Sequence, residues 1–189
     1  MSAPTTHEDR SETAAICGRF RLAKPAAAHF RPELLPAEFA ATLLARGQHI
    51  EAIRFIAHAL TPRDGVWWAC QCARQSMGEE TTAEETAAIS AAELWVTELS
   101  DETRRAAFVA ANAAGIGTAA GSAALAVFYT GGSLTPPDAP PVTPAEFAAA
   151  PLVAGSVILA TIDPDPAKTA ELTETYVGQG AAFYNAAAA

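Results

Sequence analysis

Two adjacent tryptophans in the segment Thr61–Met77 limit the possible folds more than any other feature of this 189-residue chain. Thr61-Pro62-Arg63-Asp64 is typical of a helix start, because the threonine can cap the first turn, the proline fits it and the acid lies three residues on. At about 100° per residue, Trp67 falls at the edge of the apolar face and Trp68 points away from it. Two adjacent indoles cannot both enter one core face. This helix therefore needs a second packing surface, on a neighbouring helix or on a partner protein.

Alanine makes up roughly a quarter of the chain, and aromatic residues are sparse. Such a composition favours helices that approach one another closely. Thr81 and Thr82, each with a glutamate three residues later, predict the capped start of a long helix. We expect an all-α fold with seven or eight helices, packed as stacked antiparallel helical hairpins.

Proline and glycine set the expected boundaries. We expect residues 1–30 to be largely disordered or irregular, residues 31–185 to form a single helical domain, and residues 186–189 to form a frayed tail. Thr143-Pro144-Ala145-Glu146 predicts another helix, which Pro151 would end or kink. Leu152–Leu159 could be either a helix or a buried strand.

The net charge of −9 is unevenly distributed. Residues 1–78 carry nine basic and seven acidic side chains, whereas residues 79–189 carry three and fourteen. This balance argues against nucleic-acid binding, which requires clustered cations that face phosphate. Eight acids and no base lie between Glu79 and Glu102. They predict either a solvated helical face or a docking surface for a basic partner.

The polar N-terminus lacks the apolar core of a signal peptide, and three cysteines are an odd number. Both features favour a cytoplasmic location. The run Ala106–Pro137 has no charged residue, but it is mostly alanine and glycine. Because membrane insertion depends on strongly apolar residues, we expect a buried helix pair broken near Gly115–Gly117 and no membrane span.

Two motifs resemble cofactor sites and fail the chemical requirements. Gly115-Ile-Gly117-Thr-Ala-Ala-Gly121 lacks the preceding strand and the later acid that a dinucleotide site needs, so small residues here are expected to let helices approach. Cys70-Gln71-Cys72 would direct its thiols apart on a helix, and no second ligand pair accompanies it. We therefore predict no cofactor and no metal.

Glu51, Arg54 and His58 share one face of the amphipathic helix that precedes the tryptophans. An acid beside a histidine could carry out acid–base chemistry. A surface ion pair beside a solvated histidine is the commoner arrangement. Because no nucleophile or metal motif appears elsewhere, the expected protein is not an enzyme, and this face remains the site of the alternative, a small helical enzyme or ligand-binding protein.

Arg63, Trp67, Trp68 and Arg74 form the predicted partner-binding surface, because exposed tryptophan flanked by arginine is typical of interface anchors. The alternative is that both indoles are buried between helices, with each N–H paired. The sequence leaves the oligomeric state and the identity of the partner open.

The run FIAHALTPRDGVWWACQCAR, residues 55–74, resembles the signature of a bacterial helical domain family of unknown function, as does AGSVILATIDPDP, residues 154–166. The resemblance covers roughly residues 30–185, with Asp64 and Gly65 where the family pattern has Glu and Ala. Some members lie near type VI secretion genes. The resemblance implies a setting beside such a secretion system, and it implies no catalytic residues. With the predicted tryptophan surface, the expected function there is a non-enzymatic protein–protein interaction or accessory role. The acidic face Glu79–Glu102 leaves a further alternative, an immunity-type protein that binds a basic effector.

Overall fold

The protein is all-α over the residues that the structure describes. The structure is a computed structural model that describes residues 7–187, with side chains described from 12 to 185. Ten helices and no strand occur in that range, which confirms the predicted class. They are α1 (His7–Gly18), α2 (Lys24–Ala27), α3 (Pro36–Ala45), α4 (His49–Ala59), α5 (Pro62–Ser76), α6 (Ala83–Glu98), α7 (Asp101–Ala114), α8 (Ala119–Phe128), α9 (Ala149–Ala160) and α10 (Pro166–Ala187).

The helix starts follow the predicted capping chemistry. The Thr61 hydroxyl accepts the Asp64 N–H at 3.2 Å and so caps α5. Thr82 and Glu85 cap α6 reciprocally, since the hydroxyl accepts the Glu85 N–H and the carboxylate accepts the Thr82 N–H. Each cap satisfies a backbone donor that a helix start leaves unpaired.

The packing agrees only in part with stacked hairpins. The consecutive helices α6, α7, α8 and α9 pack side by side, as hairpins do. In contrast, α4 and α5 both pack against α9, and the long α10 returns to α3, α4 and α5. The core lies where α9 and α10 meet α4 and α5, around the fully buried side chains of Phe55, Trp68 and Tyr176.

The expectation of an irregular N-terminal segment is wrong where α1 (His7–Gly18) and α2 (Lys24–Ala27) form. Residues 19–23 between these helices are irregular, and Ile16 and Ala26 are buried. The segment contacts α4, where the ring of Phe20 stacks on the His58 ring with the centroids 4.4 Å apart and Arg19 donates to the His58 carbonyl. The additional two helices raise the count above the expected seven or eight. Residues 1–6 and 188–189 lie outside the described part of the chain.

The helix predicted to begin at Thr143 does not form. The chain instead has no regular structure at residues 143–145 and turns at residues 146–148, with Phe147 at φ +61°, and α9 begins at Ala149. Pro151 neither ends nor kinks α9, because it lies in the first turn, where its missing N–H has no helical acceptor. Leu152–Leu159 is helical and is not a strand.

The uncharged run folds as a broken helix pair, as expected. α7 ends at Ala114 and α8 begins at Ala119, with Gly115 at φ +83° between them. α8 is buried, whereas Val109 and Ile116 on the α7 side are exposed. No helix in the described range is long and apolar enough to cross a membrane.

Gly121 has a different structural role from the one predicted. A Cβ at this position would lie 2.0 Å from the carbonyl oxygen of Gly115, so the glycine permits the tight loop between α7 and α8 rather than a close helix pair. Its N–H donates to the Thr118 hydroxyl at 2.9 Å. The glycine motif is thus part of a helix-capping loop.

Candidate functional site

A groove between the start of α5 and the end of α6 contains two of the four predicted partner-binding residues. It is lined by Arg63, Asp64, Trp67, Val96 and Thr97 and has a volume of about 330 Å³; we call it the Trp67 groove. Trp67 is half-buried, with one side packed against the core and the remainder facing the groove. The indole is therefore both anchored and accessible.

Arg63 is fixed in place at the edge of the Trp67 groove. Its Nε donates to the carbonyl oxygen of Val96 at 2.9 Å. That carbonyl belongs to the last turn of α6, where backbone acceptors have no partner in the helix, and the negative end of the helix dipole favours a cation. Arg63 thus caps the C-terminal end of α6, and the Arg63 guanidinium lies beside Trp67.

Trp68 does not belong to an exposed surface. Its side chain is fully buried, and its Nε1–H donates to the carbonyl oxygen of Tyr176 in α10 at 2.9 Å. Gly180, one turn further along α10, leaves room for the indole ring. The second packing surface required by the tryptophan pair is therefore α10. Trp68 cannot contact a partner in this structure, so that part of the prediction is wrong.

Arg74 lies on α5 away from the Trp67 groove. Its Nη2 and Nε donate to the two oxygens of Glu93 at 2.7 and 3.0 Å, and Nη2 also donates to Ser90 at 3.1 Å. The hydrogen bonds to Glu93 raise the pKa of Arg74. Because this charge is already paired between α5 and α6, it is less available to a partner than Arg63 is.

Several acidic side chains of the run Glu79–Glu102 already bind other groups of the protein. Glu93 pairs with Arg74, Glu85 caps α6, and Asp101 binds both Arg104 and Arg105. The two bonds from those arginines hold the pKa of Asp101 below its usual value. Glu98 and Glu102, which flank the end of α6, are exposed and form no ion pair with the described residues.

Glu51, Arg54 and His58 come together as predicted, but the N-terminal segment covers them. Arg54 donates to Glu51 at 2.6 Å, and the Ala23 N–H donates to the other Glu51 oxygen at 3.2 Å. His58 donates from Nδ1 to the Arg54 carbonyl at 2.7 Å, beneath the ring of Phe20. These polar atoms hold residues 19–23 against α4, which is a structural role.

A second cavity lies beside α9 and is not predicted by the sequence patterns. It measures about 400 Å³; we call it the α9 cavity. Leu60 and Val153 form part of its apolar wall, and Tyr129, Glu146 and Phe147 come from the turns that close it. The long Gly/Pro loop after α8 is one signal of this cavity in the sequence, but the adjacent Thr143-Pro144 has the pattern of a helix start. The walls thus come from segments far apart in sequence.

Two arginines whose role the sequence does not predict hold that loop. Arg104 is buried, and it donates to the carbonyl oxygens of Phe128 and Ser133 at 2.8 and 2.9 Å. Arg105 donates to the carbonyl oxygens of Ser133 and Thr135. No spacing rule links an Arg-Arg pair on α7 with a loop about 25 residues later, so only the tertiary structure reveals this anchor.

A model of the family of unknown function DUF6931 matches residues 39–184. The chain belongs to this family. The DUF6931 region begins within α3 and ends within α10, so it contains both the Trp67 groove and the α9 cavity. None of the curated proteins and none of the solved structures matches the chain. The match supports the unknown-function family that the resemblance implied.

Proposed function

We propose that this protein is a non-enzymatic interaction protein that binds a partner protein through the Trp67 groove. The observation that supports the proposal most strongly is the half-buried Trp67, which faces an open groove beside the fixed guanidinium of Arg63. Tryptophan and arginine are enriched among the few interface residues that supply most of the binding energy. Because both side chains are already held by the fold, less side-chain freedom is lost on binding.

The groove fits a partner that presents an apolar side chain next to basic residues. Val96 and the Trp67 ring supply apolar contact, and the exposed carboxylates of Glu98 and Glu102 lie two and six residues after Val96. Opposite charges at the rim of an interface accelerate association and orient the partner. Leu99, which lies between these acids and is exposed, extends the apolar part of this surface.

The biological setting that we propose is an accessory role beside a bacterial type VI secretion system, in the cytoplasm. The sequence motif of residues 55–74 supports the setting, and the three free cysteines support a reducing compartment. If the basic partner is a secreted effector, the same surface would give an immunity-type function. A catalytic role for Glu51, Arg54 and His58 has less support, because their polar atoms bind the N-terminal segment.

Site-specific photo-crosslinking in native cells tests the proposed surface. Thr97 lines the groove, and Thr86 lies three turns earlier on the same face of α6. Both are exposed, and each donates its hydroxyl to a carbonyl one turn back. We expect a photoreactive residue at 97 to capture a specific protein that the same residue at 86 does not. Equal capture at both positions would contradict the proposal.

The captured partner then allows a quantitative test with purified proteins. We expect Trp67→Ala, shown by its thermal melt to remain folded, to weaken binding by about tenfold or more, as interface tryptophans do. We expect affinity to fall as salt rises, since the flanking acids act electrostatically. Unchanged affinity in the folded Trp67→Ala variant would exclude this groove as the contact surface.

A further inference from the structure

We propose that the α9 cavity is a binding site for a small organic ammonium cation with an apolar body. The cavity is separate from the Trp67 groove and shares no lining residue with it. This site is independent of the proposed protein interaction. The size, charge and aromatic lining of the cavity each support the assignment.

The size and wall of the cavity suit a small molecule. Pockets of about 300–1,000 Å³ with a mainly apolar wall are typical of small-molecule sites, and this cavity has about 400 Å³. Ala57, Leu60 and Val153, from α4, the α4–α5 junction and α9, form part of its apolar wall. They are buried parts of the helical core, so this wall is preformed.

The charge of the lining favours a cation over an anion. Glu146 is the one charged residue among the described residues that line the cavity, and it forms no ion pair with the described part of the chain. The start of α9 also lines the cavity, and a helix start can bind anions through its free N–H groups. Here the Ala150 N–H already donates to the Phe147 carbonyl at 3.0 Å, and Pro151 has no N–H. This helix start therefore offers little to an anion.

Aromatic rings complete the recognition of a cation. Tyr129 and Phe147 line the cavity together with Glu146. The Phe147 ring already attracts a positive charge, since the Arg19 guanidinium lies 4.8 Å from its centroid. Arg19 itself does not line the cavity, and its Nη1 is fixed by the His58 carbonyl at 2.6 Å. Rings beside a carboxylate are the surroundings in which proteins bind alkylammonium groups.

The backbone at Phe147 is strained in a way that fits a binding site. Its φ of +61° lies in the left-handed region, which a bulky residue rarely adopts. Such strain is concentrated at ligand sites, where the surrounding structure holds a side chain in a required position. Phe147 is held at the wall of the cavity in this way, although glycine would fit the same backbone without strain.

Three probes of equal chain length test the assignment by calorimetry on the full chain: hexyltrimethylammonium, hexan-1-ol and hexanoate. We expect the ammonium to bind at least about fivefold more tightly than the alcohol, and the carboxylate to bind most weakly. A lysine-containing hexapeptide with blocked ends tests whether the site binds a small organic ammonium or the lysine side chain of a protein. Hexanoate binding as tight as ammonium binding, binding of the peptide alone, or no saturable binding of any probe would overturn the proposal.

Two variants and a matched control locate the binding. We expect Glu146→Gln to weaken ammonium binding about fivefold or more and to leave hexan-1-ol binding unchanged. Glu174→Gln makes the same charge change at an exposed position of α10, outside the cavity, and should change neither. Phe147→Leu should reduce the preference for ammonium over alcohol. Equal effects of Glu146→Gln and Glu174→Gln on the ammonium would overturn the assignment of the site.

Discussion

Trp68 donates its indole N–H to the Tyr176 carbonyl inside the core, while Trp67, one residue earlier, faces a groove. This division follows from the helix, which separates adjacent side chains by about 100°. Each indole therefore has its own surroundings and its own role. Trp68 joins α5 to α10, and Trp67 supplies the surface that we assign to a partner.

A substitution at Gly180 tests the packing of the buried Trp68 against α10. A Cβ here would lie 2.6 Å from Ile56 and 2.8 Å from the Trp68 ring, so we expect Gly180→Ala to lower the free energy of unfolding by about 1–3 kcal/mol. Gly178→Ala is the matched control, because a Cβ there meets nothing within 4 Å. That change should raise stability by up to about 1 kcal/mol through helix propensity. Urea denaturation measures both values, and a destabilisation common to both variants would contradict the proposed packing.

The helix α6 ends in an unusual way for its sequence. Leu99 occupies the C-terminal cap in the left-handed region at φ +51°, where glycine is the common residue. Its side chain is 55% exposed, so it contributes little to the core. Leu99 therefore strains the backbone without stabilising the core. Its position beside the Trp67 groove favours a role in binding a partner.

Leu99→Gly should therefore stabilise the protein by about 0.5–1 kcal/mol. An L-residue in the left-handed region costs about 1–2 kcal/mol, which glycine avoids. Glycine loses more backbone entropy on folding, which offsets part of this stabilisation. Leu94 is the matched control, since it is similarly exposed but lies within the regular part of α6. Leu94→Gly should destabilise by about 1 kcal/mol. Thermal melts of the two variants report the sign, and a loss of stability in Leu99→Gly would refute the strain.

Across the whole molecule, the features that depend on residues close together in sequence could be predicted. Caps at Thr61 and Thr82 are local and were predicted correctly, as was the all-α class. The break between α7 and α8 was also predicted, because glycine ends helices through its own backbone. The helices from α4 to α8 could therefore be placed from sequence alone.

The failures occurred where distant residues decide the structure. The N-terminal segment is ordered by Phe20 and Arg19 contacts with α4, which no local pattern reveals. Thr143-Pro144 has the chemistry of a helix start, but the turn through Phe147 prevents one. Within the candidate surface, helical periodicity placed Trp67 and Trp68 on different faces. Whether a helix or solvent covers each face depends on α10, more than a hundred residues away.

The pH dependence of folding tests how the N-terminal segment is held. Burial, and then the positive charges of Arg54 and Arg19, lower the pKa of His58, although its bond to the Arg54 carbonyl acts in the opposite direction. Glu51 is the acid on the same face, and it already binds Arg54. A lowered pKa means that the unfolded chain takes up the proton first. Stability is therefore complete above the unfolded value of about 6.5 and falls as the pH decreases below it.

We expect the free energy of unfolding to decrease between pH 7.5 and 5.5 by at most about 1.4 kcal/mol per pH unit for this one proton. His58→Asn keeps an N–H donor for the Arg54 carbonyl but cannot titrate, so its stability should change less over the same range. The carboxyl pKa values of Asp101 and Asp163 are also lowered, and these two groups affect the free energy of unfolding at lower pH. A wild type and a variant with parallel pH profiles would show that His58 does not control this transition.

The most direct test of the central claim is the response of the three tryptophan indole N–H signals in a ¹⁵N-resolved NMR spectrum when the cross-linked partner is added. Trp67 lies in the groove, Trp68 is fully buried, and Trp95 is buried on α6. We expect the Trp67 signal to shift on binding, while the Trp68 signal keeps its position and its protection from solvent exchange. A partner that binds without moving the Trp67 signal would contradict the assignment of the Trp67 groove as the binding surface.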